Sequence, residues 1–325
     1  MRLFDAYIAV DWSAKADRTR EEPIKDAIWV GEHFVDKGGR PHAVSEVYCR
    51  TRHCAERHVR SRLQFHLEAQ RRVFLGFDFP YGYPAGFAAA LNLADTKPPW
   101  RQVWEKFARL VRDDEKNANN RFIVASDLNA RCGELKPGPF WGHDGKDYPS
   151  LMRKKSKFGY PYIVEPNLRL DYFRHVEKRI RESKSARQIF SVWQLFGAGS
   201  VGGQCIVGIP VVCRLRDDPV LASLSRVWPF ETGFTTSPTP EKGPFVLHVE
   251  IWPGIKSVKD DTKEILRLDP SVWIPDQAQV RAVVSWLSRL DEEGQLGTLF
   301  DIPPSLPPEA LKACLDEEGW IIGVR

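Results

Sequence analysis

Three short apolar runs in this chain each end on an acid. Ala6-Tyr-Ile-Ala-Val10 is followed by Asp11, Val73-Phe-Leu-Gly-Phe77 by Asp78, and Phe245-Val-Leu-His-Val249 by Glu250. Near-continuous apolar runs of this length are what strands buried on both faces require, as in the centre of a parallel sheet. A carboxylate beside such a strand is costly unless it is paired or holds a cation. A fourth acid, Asp276, follows Trp273-Ile-Pro and opens a helical stretch. One cause would account for all four: strand ends and a helix start converging on one or two divalent cations, Mg2+ or Mn2+. The competing explanation is local. Asp78 would cap the Pro80-Tyr-Gly82 turn, and Asp276 would be the N-cap of its helix, which Pro275-Asp-Gln-Ala fits.

The rest of the opening segment supports an α/β fold. After the first strand comes a polar loop to Lys25, then Ala27-Ile-Trp-Val-Gly as a second strand. Val44-Ser-Glu-Val-Tyr-Cys follows as a third, after the Lys37-Gly-Gly-Arg-Pro41 turn. His53 to Arg72 carries a broad apolar stripe at helical spacing (Ala55, Val59, Leu63, Leu67) between arginines. This order matches the start of a ribonuclease-H-like mixed five-stranded sheet flanked by helices. Gln277 to Leu290 is an amphipathic helix, Pro307 to Glu318 another helix, and Gly319 to Val324 a closing strand. Between them, helices are expected at Pro84–Leu93 and Trp100–Arg112. The stretch from about Asn117 to Ser185 is polar, with loops and one helix near Asp171–Glu182. The whole is expected to be one domain, its core formed by residues 5–90 and 245–325 around a large insertion of about 95–244.

Composition excludes several classes. The chain has 325 residues, 42% of them hydrophobic and 28% charged, enough for a sizeable core with a polar surface. No apolar run approaches the roughly 18 to 20 residues of a membrane span, and no signal-peptide core follows Met1, so a cytoplasmic location without membrane partners is expected. Six scattered cysteines form no C-x-x-C pair and are expected as reduced thiols. A net charge of +4 does not by itself imply nucleic acid. Two local concentrations keep a nucleic-acid or nucleotide partner open. One runs from Arg50 to Arg72, and the other comprises Arg153, Lys154, Lys155 and Lys157. Solvated surface is the alternative for both.

Gly197-Ala-Gly-Ser-Val-Gly-Gly203 matches G-x-G-x-x-G after an apolar run. Gly197, Gly199, Gly202 and Gly203 are therefore candidates to let the backbone approach a phosphate. Pro210 is expected to interrupt any helix that starts there, and a tight structural turn is the alternative. Arg131 and Lys136, flanking a Gly-Glu-Leu turn, are candidates to hold an anionic substrate. Glu231 in Trp228-Pro-Phe-Glu-Thr-Gly233 is a further candidate ligand or base. No Ser-His-Asp, Cys-His or H-E-x-x-H arrangement stands out.

Several of these segments together resemble an uncharacterised bacterial family. They are Val10-Asp-Trp-Ser13, Gly76-Phe-Asp-Phe-Pro-Tyr-Gly82, Glu250-Ile-Trp-Pro253, the Asp276-led helix and Glu317-Glu-Gly-Trp-Ile-Ile322. The family is the domain of unknown function DUF four-two-nine, placed in the ribonuclease-H-like clan as predicted nucleases. The likeness covers roughly residues 5–90 and 245–325. It implies the fold and, by analogy, metal-dependent phosphodiester hydrolysis at Asp11, Asp78, Glu250 and Asp276. Trp12 departs from the small residue common at its position. Two other readings stay open. One is a nucleotide-binding or cofactor-biosynthesis protein of the molybdopterin guanine dinucleotide type, and the other is a non-catalytic interaction protein.

Overall fold

The strand β1 (Ala6–Asp11) is buried at all six positions because it lies between two strands and two layers of helix. It pairs antiparallel with β2 (Ile28–Phe34), which pairs antiparallel with β3 (Ser45–Cys49). On its other side it runs parallel to β4 (Arg72–Phe77), and β4 runs parallel to β8 (Phe245–Glu250). The computed structural model describes residues 2–36, 38–94, 96–133, 137–155, 158–183 and 189–325. Its central sheet has six strands in the order β3-β2-β1-β4-β8-β7, not the five expected. The added edge strand, β7 (Ser225–Val227), has three residues, too few for any alternation to register in sequence. The closing strand expected at Gly319–Val324 reduces to one bridge, Ile321 to Glu250. Gly319 and Gly323 on either side of it adopt left-handed backbone (φ +71° and +82°), which ends pairing on both sides.

Two cores follow from the period-two alternation of the strands. Ile8, Val10, Val73, Leu75 and Phe77 point to one face, against α1 (Arg52–Glu68), α3 (Pro99–Leu110), α4 (Arg121–Cys132) and α6 (Val201–Arg216). Tyr7, Ala9, Phe74, Leu247 and Val249 point to the other, against α8 (Pro275–Glu292) and α5 (His175–Glu182). Gly31 lets α8 lie directly on β2: a Cβ there would stand 2.9 Å from the Val280 backbone. The α1 helix starts where Thr51 Oγ1 accepts the Cys54 N–H. A short helix α2 (Phe87–Ala90), a hairpin of β5 (Tyr162–Glu165) and β6 (Leu168–Leu170), α7 (Lys256–Leu268) and α9 (Pro308–Ala313) complete the chain.

The middle segment is more regular than its sequence implies. The α4 helix and the β5–β6 hairpin occupy what reads as polar loop, and α6 runs through Pro210 without a break. Both helices escape periodicity analysis for one reason: they bury residues around much of their circumference, so no apolar stripe stands out. No helix among the described residues is long and apolar enough to cross a membrane. The six cysteines carry no disulfide.

Candidate functional site

Asp11 ends β1 opposite Trp29, whose ring belongs to the core on the α8 side, so Asp11 faces that side of the sheet. Asp78 follows β4 directly. Its N–H donates to Val10 O, and its Oδ1 accepts the Trp12 N–H at 2.7 Å. The carboxyls of Asp11 and Asp78 lie within hydrogen-bonding reach of each other. Asp276 enters from the first turn of α8, on the same face. It is not the N-cap; Ile274 holds that position, and Asp276 Oδ2 accepts the Asp26 N–H at 2.5 Å. Neither local explanation for these two acids therefore holds.

The electrostatics tie the three together. Burial pushes Asp11 well above the ordinary carboxylate range, and the charges of Asp78 and Asp276 push it further. Burial raises Asp78 to about 7, although hydrogen bonds from Asp11 and the Trp12 N–H pull it back. Asp276 is raised as well, first by burial, with the Asp26 N–H opposing and the Asp26 charge adding to the rise. Both carboxyls of the Asp11–Asp78 pair thus favour the protonated form more than free carboxyls do. Asp26 is a participant that sequence reasoning missed. It is exposed, in left-handed backbone (φ 57°), and stands before a strand rather than after one.

The loop beyond Asp11 is held rigidly. The fully buried Arg52 donates to Ser13 O at 3.0 Å and Lys15 O at 2.8 Å while pairing with both oxygens of Asp113. Ser13 Oγ donates to Asp26 O and Gln204 Nε2 to Trp12 O, so the segment before β2, α1 and α6 all fix the position of this turn.

Glu250 does not join the aspartates. It stands level with Phe77, and Phe77 with Val10, so strand alternation turns it toward the opposite face from Asp11. There it is matched by Arg174, which is 0% exposed. Arg174 Nη1 donates to Glu250 Oε2 at 2.8 Å and to Glu318 O at 2.7 Å, and Nη2 donates to Glu250 Oε1 and Glu177 Oε1 at 2.5 Å each. Glu250 Oε2 also accepts the Tyr81 N–H at 2.9 Å. Both oxygens of Glu250 are thus committed to fixed donors. Glu317 likewise clamps the turn into α2 through the Gly86 and Ala88 N–H groups.

The glycine segment lies against the turn that follows Asp11, and three of its N–H groups are used within the segment and its neighbours. Gly203 packs beside Ala14 and Arg121, yet the Val201, Gly202 and Gly203 N–H groups donate to Gly199 O, Gln194 O and Ser200 O. The glycines serve close packing instead. A Cβ on Gly202 would stand 2.1 Å from Val192 O, and one on Gly199 2.2 Å from the Phe190 ring. Gly197 is a left-handed position (φ +90°). Arg131 is exposed on α4, and Lys136 and Lys157 lie outside the described residues. Glu231 is paired with Arg216. The arginines of the first basic stretch are largely engaged: Arg50 with Glu21, Arg60 with Asp218, Arg62 with Glu32, Arg72 with Asp5.

The donor set of Asp11, Asp78 and Asp276 is hard oxygen alone, which suits Mg2+ or Mn2+. These three do not bring one oxygen each within 4.8 Å of one another; among the described residues His175, Cys314 and Glu318 are the set that does so. Two ions about 3.5–4 Å apart, with bonds of about 2 Å, spread their outer ligands wider than a single ion does. The three aspartates are more widely spread than the His175, Cys314 and Glu318 set. No protein-family model matches the chain, and neither does any curated protein or solved structure.

Proposed function

We propose that the protein is a divalent-metal-dependent phosphodiester hydrolase of nuclease type, with Asp11, Asp78 and Asp276 as the ligands of Mg2+ or Mn2+. The observation that carries this reading is the Asp11–Asp78 pair, two buried carboxyls at the ends of adjacent central strands, with the charges of Asp78 and Asp276 raising Asp11. No arginine or lysine forms an ion pair with any of the three among the described residues, whereas Glu250 has Arg174. A fold that needed these aspartates only for structure would gain nothing from leaving them in mutual repulsion.

A divalent ion bound here would supply a water of lowered pKa and positive charge facing the scissile phosphate. The chain's own groups do the rest. Asp11, at the end of the central strand, would be a ligand of that ion. Asp78 is oriented by the Trp12 N–H, and Asp276 by the Asp26 N–H. Arg52 holds the Ser13–Lys15 turn beyond Asp11 through the Ser13 and Lys15 carbonyls.

The test is a panel of DNA, RNA and small nucleotide phosphodiesters with Mg2+ or Mn2+, run on wild type and Asp11→Asn. Metal-dependent cleavage that disappears in a folded Asp11→Asn variant is the expected result. Cleavage that persists in the variant would refute the assignment.

A further inference from the structure

A group of different chemistry lies at the C-terminal end of α9. Cys314 opens a π-helical turn that ends at Glu318, closed by the Gly319 N–H donating to Cys314 O at 3.0 Å. Turns of this kind recur at functional sites. Cys314 and Glu318 face His175, the first residue of α5. Glu318 Oε2 accepts the His175 backbone N–H at 2.6 Å and lies 2.8 Å from His175 Nδ1. One ligand atom from each of the three side chains lies within 4.8 Å of the other two.

We propose that His175, Cys314 and Glu318 bind one thiophilic divalent cation, of which Zn2+ is the type, with solvent in the fourth position. Imidazole, thiolate and carboxylate together form a zinc donor set, whereas Mg2+ and Ca2+ take oxygen alone. The aspartate site and this one therefore differ in the metal they select.

Charge is the second, independent observation. Behind the group, Arg174 bonds the Glu177 and Glu250 carboxylates and the Glu318 carbonyl, and all four residues are at least 98% buried. Three carboxylates against one guanidinium leave two negative charges, and buried charge without a partner is costly. A dication that displaces the Cys314 proton brings a net charge of +1 and lowers that excess. Burial and the Glu318 charge hold the Cys314 thiol protonated, while Arg174 pulls the other way. Binding then exchanges the thiol proton for the metal: Cys–SH and M2+ give Cys–S–M+ and one H+ to solvent. His175, with 30% of its side chain exposed, provides the path of entry.

The experiment is a Co2+ titration of the full chain after treatment with chelator, followed in the near-ultraviolet and visible. Expected are a thiolate-to-cobalt charge-transfer band that saturates at one equivalent, and loss of that band when Zn2+ displaces the cobalt. Cys314→Ser should abolish the band. His175→Ala, at a half-exposed helix start, should weaken binding on the order of tenfold or more, since even changes behind a ligand cost about 10–100-fold. Asp11→Asn should leave the band unchanged, which separates this site from the aspartates. A folded wild type without the band, a band that survives Cys314→Ser, or unchanged affinity in His175→Ala would overturn the proposal. The last also covers the case in which Cys314→Ser does not fold.

Discussion

Replacing Arg174 by Met should be the most damaging single change in the C-terminal half of the sheet. The guanidinium makes charge-assisted bonds to Glu177 and Glu250 and a further bond to Glu318 O, with no exposure to solvent. Methionine fills a similar volume, so the packing loss is small, and what remains is two buried carboxylates without a counter-ion. Breaking a buried pair from one side costs about 3–5 kcal/mol. At roughly 2–4 °C per kcal/mol for chains somewhat shorter than this one, the melting temperature falls by about 6–20 °C. Urea unfolding followed by tryptophan fluorescence, on wild type, Arg174→Met, Glu250→Gln and the double variant, separates the contributions. The double variant should recover part of the loss, with a coupling on the order of 1–3 kcal/mol, because the Gln strands no charge. A loss below about 1 kcal/mol in Arg174→Met, or strict additivity in the double variant, would refute the assignment of Glu250 to Arg174.

The Asp11–Asp78 pair makes apo stability depend on pH. A carboxyl raised in the folded state stabilises the fold below its unfolded value and loses that contribution as pH rises through the folded value. With Asp78 moved from 3.8 to about 7, the metal-free protein should lose stability as pH climbs across that interval, and Asp78→Asn should flatten the slope in a pH series of thermal melts. Glu317, also pushed up to about 7 by burial, acts in the same direction and keeps some slope in the variant. An unchanged slope in Asp78→Asn would count against the raised pair. Gly202→Ala should destabilise by about 1–3 kcal/mol through overpacking against Val192 O, without altering Mn2+ affinity. Lost metal or nucleotide binding in a stable Gly202→Ala protein would restore a ligand role for the segment.

How much of this was readable from the chain alone depended on where each partner came from. Asp11 and Asp78 were legible because their own strands announce them: an apolar run buried on both faces makes a terminal acid conspicuous, and both side chains act where the strand ends. Glu250 carried the same signal and a different role. Its fate is set by Arg174, 76 positions away, and by a one-residue offset in register that turns it to the other face. Asp26 carried no signal, because an exposed acid before a strand looks like any loop residue. The glycines of 197–203 were conspicuous for a reason sequence cannot distinguish from phosphate binding, since close approach to Val192 O needs the same absence of Cβ. The metal-type cluster of His175, Cys314 and Glu318 was invisible because His175 lies far in sequence from the turn that carries Cys314 and Glu318, and the two meet only when α5 packs on the turn after α9.

The central claim, that Asp11, Asp78 and Asp276 form a divalent-cation site, is tested most directly by calorimetric Mn2+ titration of the purified chain at neutral pH. Because burial raises both Asp11 and Asp78, cation binding competes with protonation, and the expected result is saturable binding that tightens as pH rises. Asp11→Asn should abolish that binding while the fold is retained, as judged by circular dichroism. Absence of saturable Mn2+ binding in the wild type, or identical binding in a folded Asp11→Asn variant, would contradict it.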